Sequence, residues 1–485
     1  MRAKILDLAI QGKLTDQRQE DGNARDLVKA IQAEKEKLIK EKKIKKEKPL
    51  PEITEEEKPF EIPDNWEWVR LGDICQINPR NHVQDENVNV SFLPMALIGE
   101  GYGSNYCPEI RKWKDVKKGF THFANNDVVL AKISPCFQNL KSAVMNNLIN
   151  GIGAGTTELH VLRRYSHTLN PEYLLCFVQN QNLIKDGIKT FKGVVGQQRI
   201  SKDFIKEYLC PLPPLAEQQR IADKVSALFA QLDAIDKAYE EYRELQQAMK
   251  AKLLELAMQG KLTDQRKEDG NARDLLKEIQ AEKEKLIKEK KIKKEKPLPE
   301  ITEEEKPFDI PENWEWVRLG DIAQAINGDR GKNYPKREEY VSSGIAWINT
   351  GHITDNGYLN ADKMNYITRD KYDSLRSGKI QRNDLLFCLR GSFGKVARIE
   401  PFCEGAIASS LAIIRLFDTA LREYLFIYLK SPQAVNELNK YANGTAQPNL
   451  AAKDVLKYLI PLPPLVEQKR IVSKLDKLLS LEIEL

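Results

Sequence analysis

This 485-residue sequence predicts an α+β protein with two globular, mixed α/β domains separated by long antiparallel coiled-coil helices, arranged as a pseudo-two-fold internal repeat. Three observations predict it. Residues 1–74 recur at 249–322 with a constant offset of 248 and only nine differences, all but two of them close exchanges such as Ile5/Leu253 and Asp7/Glu255. Pro211-Leu-Pro-Pro-Leu215 followed by Glu217-Gln218 recurs as Pro461-Leu-Pro-Pro-Leu465 followed by Glu467-Gln468, now at offset 250. Between these shared pieces lie segments 75–210 and 323–459, which are nearly equal in length and unlike in sequence. Duplication alone leaves identical copies; it does not explain divergence that stops sharply at both edges of each middle segment.

The domains follow in order: an N-terminal helical scaffold over 1–60, a first variable domain over 61–213 and a central scaffold over 214–308. A second variable domain over 309–463 and a C-terminal scaffold helix over 464–485 follow. Apolar residues Ile221, Val225, Leu228, Leu232, Ile235, Tyr239, Tyr242, Met249, Leu253 and Leu256 alternate spacings of four and three, with one polar lapse at Gln246. That is a coiled-coil seam. Pro213 and Pro214 suit the helix start and Gly260 its stop. The stretch would span about 54 Å. A second helix is expected from about Asn271 to Glu295, copied at Asn23 to Glu47 and returned antiparallel through Gly260–Asp264. The lysine runs 40–48 and 288–296 read as the solvated face of that helix, since Glu is interleaved. Residues 464–485 match 214–235, so the C-terminal helix beside the N-terminal one would close a ring-like pseudo-dimer.

Composition excludes several classes. No apolar run reaches membrane-spanning length, so no membrane contact is expected. The N-terminus is amphipathic and soon charged, unlike a signal peptide. Seven scattered cysteines without a Cys-x-x-Cys pair indicate reduced thiols in a cytoplasmic protein and no metal site. The net charge is only +5, yet 75–210 carries 16 Lys+Arg against 11 Asp+Glu, and 323–459 carries 19 against 14. The positive excess therefore sits in two matched blocks, as expected of surfaces that meet phosphates. The tryptophan pairs opening each block, Trp66/Trp68 and Trp314/Trp316, read as core anchors.

Trp66-Glu-Trp-Val-Arg-Leu-Gly-Asp73 at each domain entrance and Pro211-Leu-Pro-Pro-Leu215 at each exit resemble the specificity subunit of type I restriction–modification enzymes. Leu8-Ala-Ile-Gln-Gly-Lys-Leu14 and Gly444-Thr-Ala-Gln-Pro-Asn-Leu450 add to that resemblance, which spans essentially the whole chain. It implies that each variable segment is a target recognition domain reading one half of an interrupted, asymmetric site in double-stranded DNA. It also implies that the helices dock two modification (methyltransferase) subunits and that two restriction (motor-nuclease) subunits join for cleavage. S-adenosylmethionine would then belong to the modification subunits, ATP and Mg to the restriction subunits, and no cofactor to this chain.

The residues expected to meet DNA sit where a buried strand feeds a basic loop. Asp127-Val-Val-Leu-Ala-Lys-Ile133 leads to Lys132, Ser134 and Lys141; its counterpart from Asp384 leads to Arg390, Ser392 and Lys395. Near the domain ends come Gln197, Gln198, Arg199 and Ser201, then Thr445, Gln447 and Asn449. Gln and Asn pair bidentately with adenine and Arg with guanine, whereas Lys, Ser and Thr favour phosphates. Gly151-Ile-Gly-Ala-Gly155 reads as a turn before a strand rather than a nucleotide loop, because no helix or acidic partner follows in register. No catalytic residue is expected: an adenine-methyltransferase Asn/Asp-Pro-Pro-Tyr/Phe string and a Gly-x4-Gly-Lys-Ser/Thr loop are both absent. The rival reading is a coiled-coil adaptor that binds only proteins, which salt-dependent DNA binding would separate.

Overall fold

The computed structural model describes residues 1–103, 105–165, 167–194, 196–391, 394–442 and 450–480. The chain divides into two compact units, 1–238 and 239–485, with the boundary inside one 44-residue helix, Leu215–Met258. The prolines at 213 and 214 stand just before its first turn, where a missing N–H costs nothing. Gly260 follows its end with φ +69, as Gly12 follows the N-terminal helix Arg2–Ile10 with φ +69. A β-carbon at either glycine would collide with the proline that opens the reader, Pro63 or Pro311. Each helix end is thus pressed onto a domain entrance that only glycine admits.

Both units are closed by the same helical contact made from different stretches of chain. In unit 1, Arg2 pairs with Asp233 and Asp236 at 2.5 and 2.9 Å, and Leu6, Ala9 and Ile10 share a core with Ile221 and Val225. In unit 2, Leu254, Ala257 and Met258 of the long helix share a core with Ile471 and Leu475 of the helix Leu465–Ser480. Between those packed ends apolar side chains lie open: the seam residues Ile235, Tyr239, Tyr242 and Met249 are 61, 60, 41 and 45% exposed, and Leu245 beside the seam is 70% exposed.

The second helices, Ala24–Lys40 and Ala272–Lys288, start on caps in which the Asn23 and Asn271 side chains accept from the N–H of Arg25 and Arg273. They end earlier than the lysine runs suggested. Lys42 and Lys290 turn left-handed (φ 58 and 56), and Lys43 and Ile44 both donate back to the Leu38 carbonyl. Ile44 then packs onto the core beside Leu38, the apolar contact that commonly fixes such a stop. Most of each lysine run therefore follows the helix rather than lying along its face. The helices rest on the domain entrances, through Lys35 Nζ to the Gly72 carbonyl and Lys283 Nζ to that of Gly320.

In each unit the entrance strand pairs antiparallel with the exit strand, Glu67–Arg70 with Leu209–Leu212 and Glu315–Arg318 with Leu459–Leu462. This explains why both motifs recur together. The first tryptophan of each pair is buried and donates Nε1–H to the exit glutamate, Trp66 to Glu217 and Trp314 to Glu467, both at 2.8 Å. Gln17 and Thr15, or Gln265 and Thr263, donate to the other oxygen of the same carboxylate. Burial pushes the Glu217 carboxyl above its ordinary range, against the pull of those donors.

Inside these frames lie two unlike sequences with one shared plan. Unit 1 holds a four-stranded antiparallel sheet in the spatial order Cys75–Ile77, Leu159–Arg164, Val128–Ala131, Ser142–Val144. Unit 2 repeats it as Ala323–Asn327, Leu411–Leu416, Leu385–Cys388, Val396–Arg398. A buried aspartate just before the third strand binds an arginine on the second, Asp127 with Arg163 and Asp384 with Arg415. A second sheet carries one parallel pair in each unit, Asn89–Leu93 with Ile152–Gly155 and Ile345–Ile348 with Gly405–Ile407.

Candidate nucleic-acid interface

The strand Val128–Ala131 ends in a loop that folds back to its neighbour, with the Ala131 N–H on the Lys141 carbonyl. Two further segments meet this loop. Lys132 N–H donates to the Glu158 carbonyl at 2.9 Å, and Ile200 N–H donates to the Lys132 carbonyl at 3.0 Å. Ser134 N–H reaches the Gln198 carbonyl at 2.8 Å, and Gln198 N–H returns to Ser134 Oγ at 3.1 Å. The post-strand loop and the glutamine-rich segment, bonded across 64 residues of chain, are therefore one surface.

Unit 2 builds the same junction. Leu389 N–H donates to the Ser410 carbonyl, Leu450 N–H to the Leu389 carbonyl, and Cys388 N–H to the Lys395 carbonyl. Those bonds match Lys132 to Glu158, Ile200 to Lys132 and Ala131 to Lys141. Arg390 is exposed beside the junction. Ser392, Thr445, Gln447 and Asn449 lie outside the described residues.

The geometry sorts the remaining expected contact residues. Lys141 is corrected: its side chain is only 12% exposed, and its ammonium donates to the carbonyls of Ile98 (2.9 Å) and Met95 (3.4 Å) with Glu100 at 3.7 Å. It ties down a loop, because burying a polar head costs free energy unless its donors find acceptors. Lys395, at the same ladder position, turns outward and pairs with Asp355 at 2.6 Å. The Ser201 hydroxyl accepts from Phe204 N–H and caps the helix Lys202–Glu207, a local role. Lys132, Gln197, Gln198 and Arg199 remain on the surface, half-buried or exposed.

Arg199 is not a loose reader. Its Nε and Nη2 donate to the two oxygens of Glu158 at 2.7 and 3.0 Å, and its Nη1 to the Gln197 carbonyl at 2.7 Å. The Arg199 hydrogen bond, with Lys132 nearby, holds the Glu158 carboxyl below its ordinary range. Glu158 has no motif or charge cluster around it that marks it in the sequence. The only signal was its place one residue before the strand that pairs with Val128–Ala131.

Behind the junction, His160 faces Asn78 Nδ2 through Nδ1 (3.2 Å) and the Ile200 carbonyl through Nε2 (3.3 Å). Those partners assign the proton to Nε2. Burial lowers its pKa to about 4, so the ring is neutral at physiological pH. Among the described residues no group of His, Cys, Asp and Glu side chains is placed to hold a metal ion.

The family model for the type I restriction modification DNA specificity domain matches residues 63–242 and 311–485, one copy in each unit. The chain belongs to the type I restriction-enzyme specificity subunits. Among its relatives, the Escherichia coli EcoAI specificity subunit is 37% identical, the match covering 99% of this chain and 88% of the relative. The E. coli EcoEI specificity subunit is 33% identical, over 98% of this chain and 88% of that one. Among solved structures, the HsdS subunit from Thermoanaerobacter tengcongensis superposes with a TM-score of 0.54 at 21% identity, covering 88% of this chain and 92% of that one. A chain from a study of complex assembly and conformational transition of a type I R-M system gives 0.57 at 22% identity, over 87% and 91%. These two share the fold. As a specificity subunit the protein serves DNA sequence recognition and is not the catalytic component. Among the described residues no helix is long and apolar enough to cross a membrane.

Proposed function

We propose that the two units carry target recognition domains, 61–213 and 309–463, each reading one half of an interrupted, asymmetric site in double-stranded DNA. The supporting observation is the paired junction: identical backbone ladders present unlike side chains from a common frame. Base edges are read by side chains, so unlike side chains on one frame give two different half-sites and a non-palindromic target. Lys132, Gln197 and Gln198 contact the first half-site, with Arg199 held beside them; Arg390 and Lys395, together with Ser392, Thr445, Gln447 and Asn449, serve the second. The five exposed apolar residues from Ile235 to Met249 support docking of two modification (methyltransferase) subunits along the long helix. Restriction subunits join that complex for cleavage. S-adenosylmethionine belongs to the modification subunits, and ATP and Mg to the restriction subunits. The assembly works in the cytoplasm, where the DNA is.

A genome-wide methyladenine map tests this, made with and without this chain in cells expressing an active partner methyltransferase. Loss of one interrupted motif in its absence is expected, and exchange of residues 75–210 should change only one half of that motif. An unchanged map would favour the protein-only adaptor.

A further inference from the structure

The chain that follows the first strand of the four-stranded sheet takes different courses in the two units. In unit 1 it folds back onto neighbouring strands. The Asn78 side chain accepts from Val161 N–H, Asn81 Nδ2 donates to the Phe123 carbonyl, and Arg80 donates to the Phe120 carbonyl. In unit 2 the strand ends at Asn327 and opens into Gly328-Asp-Arg-Gly-Lys-Asn333. Three bonds staple this loop to residues 374–377. Ser377 Oγ donates to the Asn327 carbonyl at 2.6 Å, Arg376 N–H to the Asp329 carboxylate at 2.8 Å, and Asn333 Nδ2 to the Ser374 carbonyl at 2.7 Å. Asp329, 6% exposed, accepts from Gly331 N–H on its other oxygen at 2.7 Å, which turns the chain tightly around Arg330. Gly328 leaves no room for a side chain, since a β-carbon there would stand 2.5 Å from the Ile407 carbonyl oxygen.

This staple delivers Arg330 to the reading junction. Its Nη2 lies 3.5 Å from the Ser409 carbonyl oxygen, and the next carbonyl, that of Ser410, accepts from Leu389 N–H in the junction ladder. Ser410 holds the ladder position that Glu158 holds in unit 1, where Arg199 is bound. Each junction thus has an arginine beside it, supplied by a different part of the chain. The two differ in what they have left to donate. Arg199 spends Nε and both Nη groups on protein acceptors. Arg330 is exposed, and among the described residues its Nε and Nη1 meet no acceptor. A guanidinium fork with open donors on a fixed loop matches the O6 and N7 acceptors that guanine presents in the major groove. Lys332 and Arg376 are exposed on the same stapled loops and suit the phosphates.

We propose that Arg330 reads a guanine in the second half-site. This rests on the DNA-reading function proposed above, and it adds a residue and a base to it. It requires a G·C pair in the half of the methyladenine motif that exchange of residues 75–210 leaves unchanged; a half without one overturns it. Binding is then measured with the full chain assembled with its modification subunits, on duplexes bearing the mapped site. Each guanine in turn is replaced by 7-deazaguanine, which lacks the N7 acceptor. One such replacement in the second half-site should weaken binding about tenfold. With Arg330→Ala that replacement should have no further effect, while guanines of the first half-site behave as before. Arg330→Lys keeps the charge without the fork, so it should bind duplex of random sequence like the parent and still lose the guanine effect. Lys332→Ala and Arg376→Ala should weaken binding to mapped and random duplex alike and leave the guanine effect in place. If no second-half guanine shows an effect, or if the effect survives in Arg330→Ala or Arg330→Lys, Arg330 is not the reader. Loss of the effect in Lys332→Ala or Arg376→Ala would likewise move the role away from Arg330. If the complex shows no preference for the mapped site over random duplex, the DNA-reading function itself fails, and this proposal with it.

Discussion

The two units differ most where their sequences differ, and least where their backbones must meet. Unit 1 adds the strand Thr121–Ala124 to its second sheet, pairing antiparallel with Ile152–Gly155; at the corresponding edge the described residues of unit 2 form an isolated bridge, Lys379 to Ala406. Unit 1 locks its reading surface with an arginine–glutamate pair and a buried histidine. In unit 2 the matching positions are Ser410 and Ala412, neither of which can do so. The tryptophan–glutamate bonds of the two frames are equal at 2.8 Å, while the surfaces that the frames carry differ. A repeated frame can thus hold divergent readers as long as the bonds at strand ends are main-chain bonds, which any side chain permits.

The frame is the place to look for the largest effect. Glu217→Ala leaves the Trp66 indole N–H, Gln17 and Thr15 without their shared acceptor, and Glu467→Ala does the same to Trp314, Gln265 and Thr263. Each should lower stability by about 3 kcal/mol, since a buried indole N–H loses its charged partner. Chemical denaturation of the two variants should give losses equal within error; a clear inequality would break the equivalence of the frames.

Acidification should then separate the units. The folded pKa of His160, about 4, lies below the ordinary value for histidine, so the unfolded chain binds the extra proton first. Stability is therefore intact above the unfolded pKa and falls as pH drops towards the folded one. The loss should be about 2 kcal/mol between pH 7 and pH 5. Limited proteolysis across this range should open unit 1 through His160, and His160→Gln should flatten part of the dependence. The buried His122 and His352 are also lowered by desolvation and set a background in both units, so the comparison is between variant and parent.

The smallest effect on stability should accompany Glu158→Ala. The Glu158–Arg199 pair is partly exposed, with side-chain exposures of 25 and 39%, so solvent screens it and only a small loss is expected. Its consequence should appear in recognition instead: relaxed discrimination at the first half-site, an unchanged second half-site, and partial rescue by Glu158→Asp. Equal relaxation at both halves in the methyladenine map would show that the pair supports the whole fold rather than one reader.

Much of this was legible in the chain. The repeat at offsets 248 and 250, the heptad spacing and the proline and glycine punctuation delimit the frames, because those signals are local and periodic. They place the tryptophans at the entrance and the glutamates at the exit, though not the bond between them. The strands before the basic loops were readable too, since short apolar runs beginning Asp-Val-Val and Asp-Leu-Leu stand out.

Which polar residues share a surface was not legible. Lys141 and Lys395 look alike in sequence, yet one is turned into carbonyl oxygens and the other towards solvent, a choice made by the loops 95–98 and 355 that happen to lie nearby. Glu158 acquires its role only when Arg199, 41 residues on, is brought within hydrogen-bond reach. Composition and period determined the architecture of this protein by themselves, because helix seams and chain turns are decided by near neighbours. The reading surface was decided by tertiary structure, because a side chain's exposure and partners depend on which distant backbone closes over it.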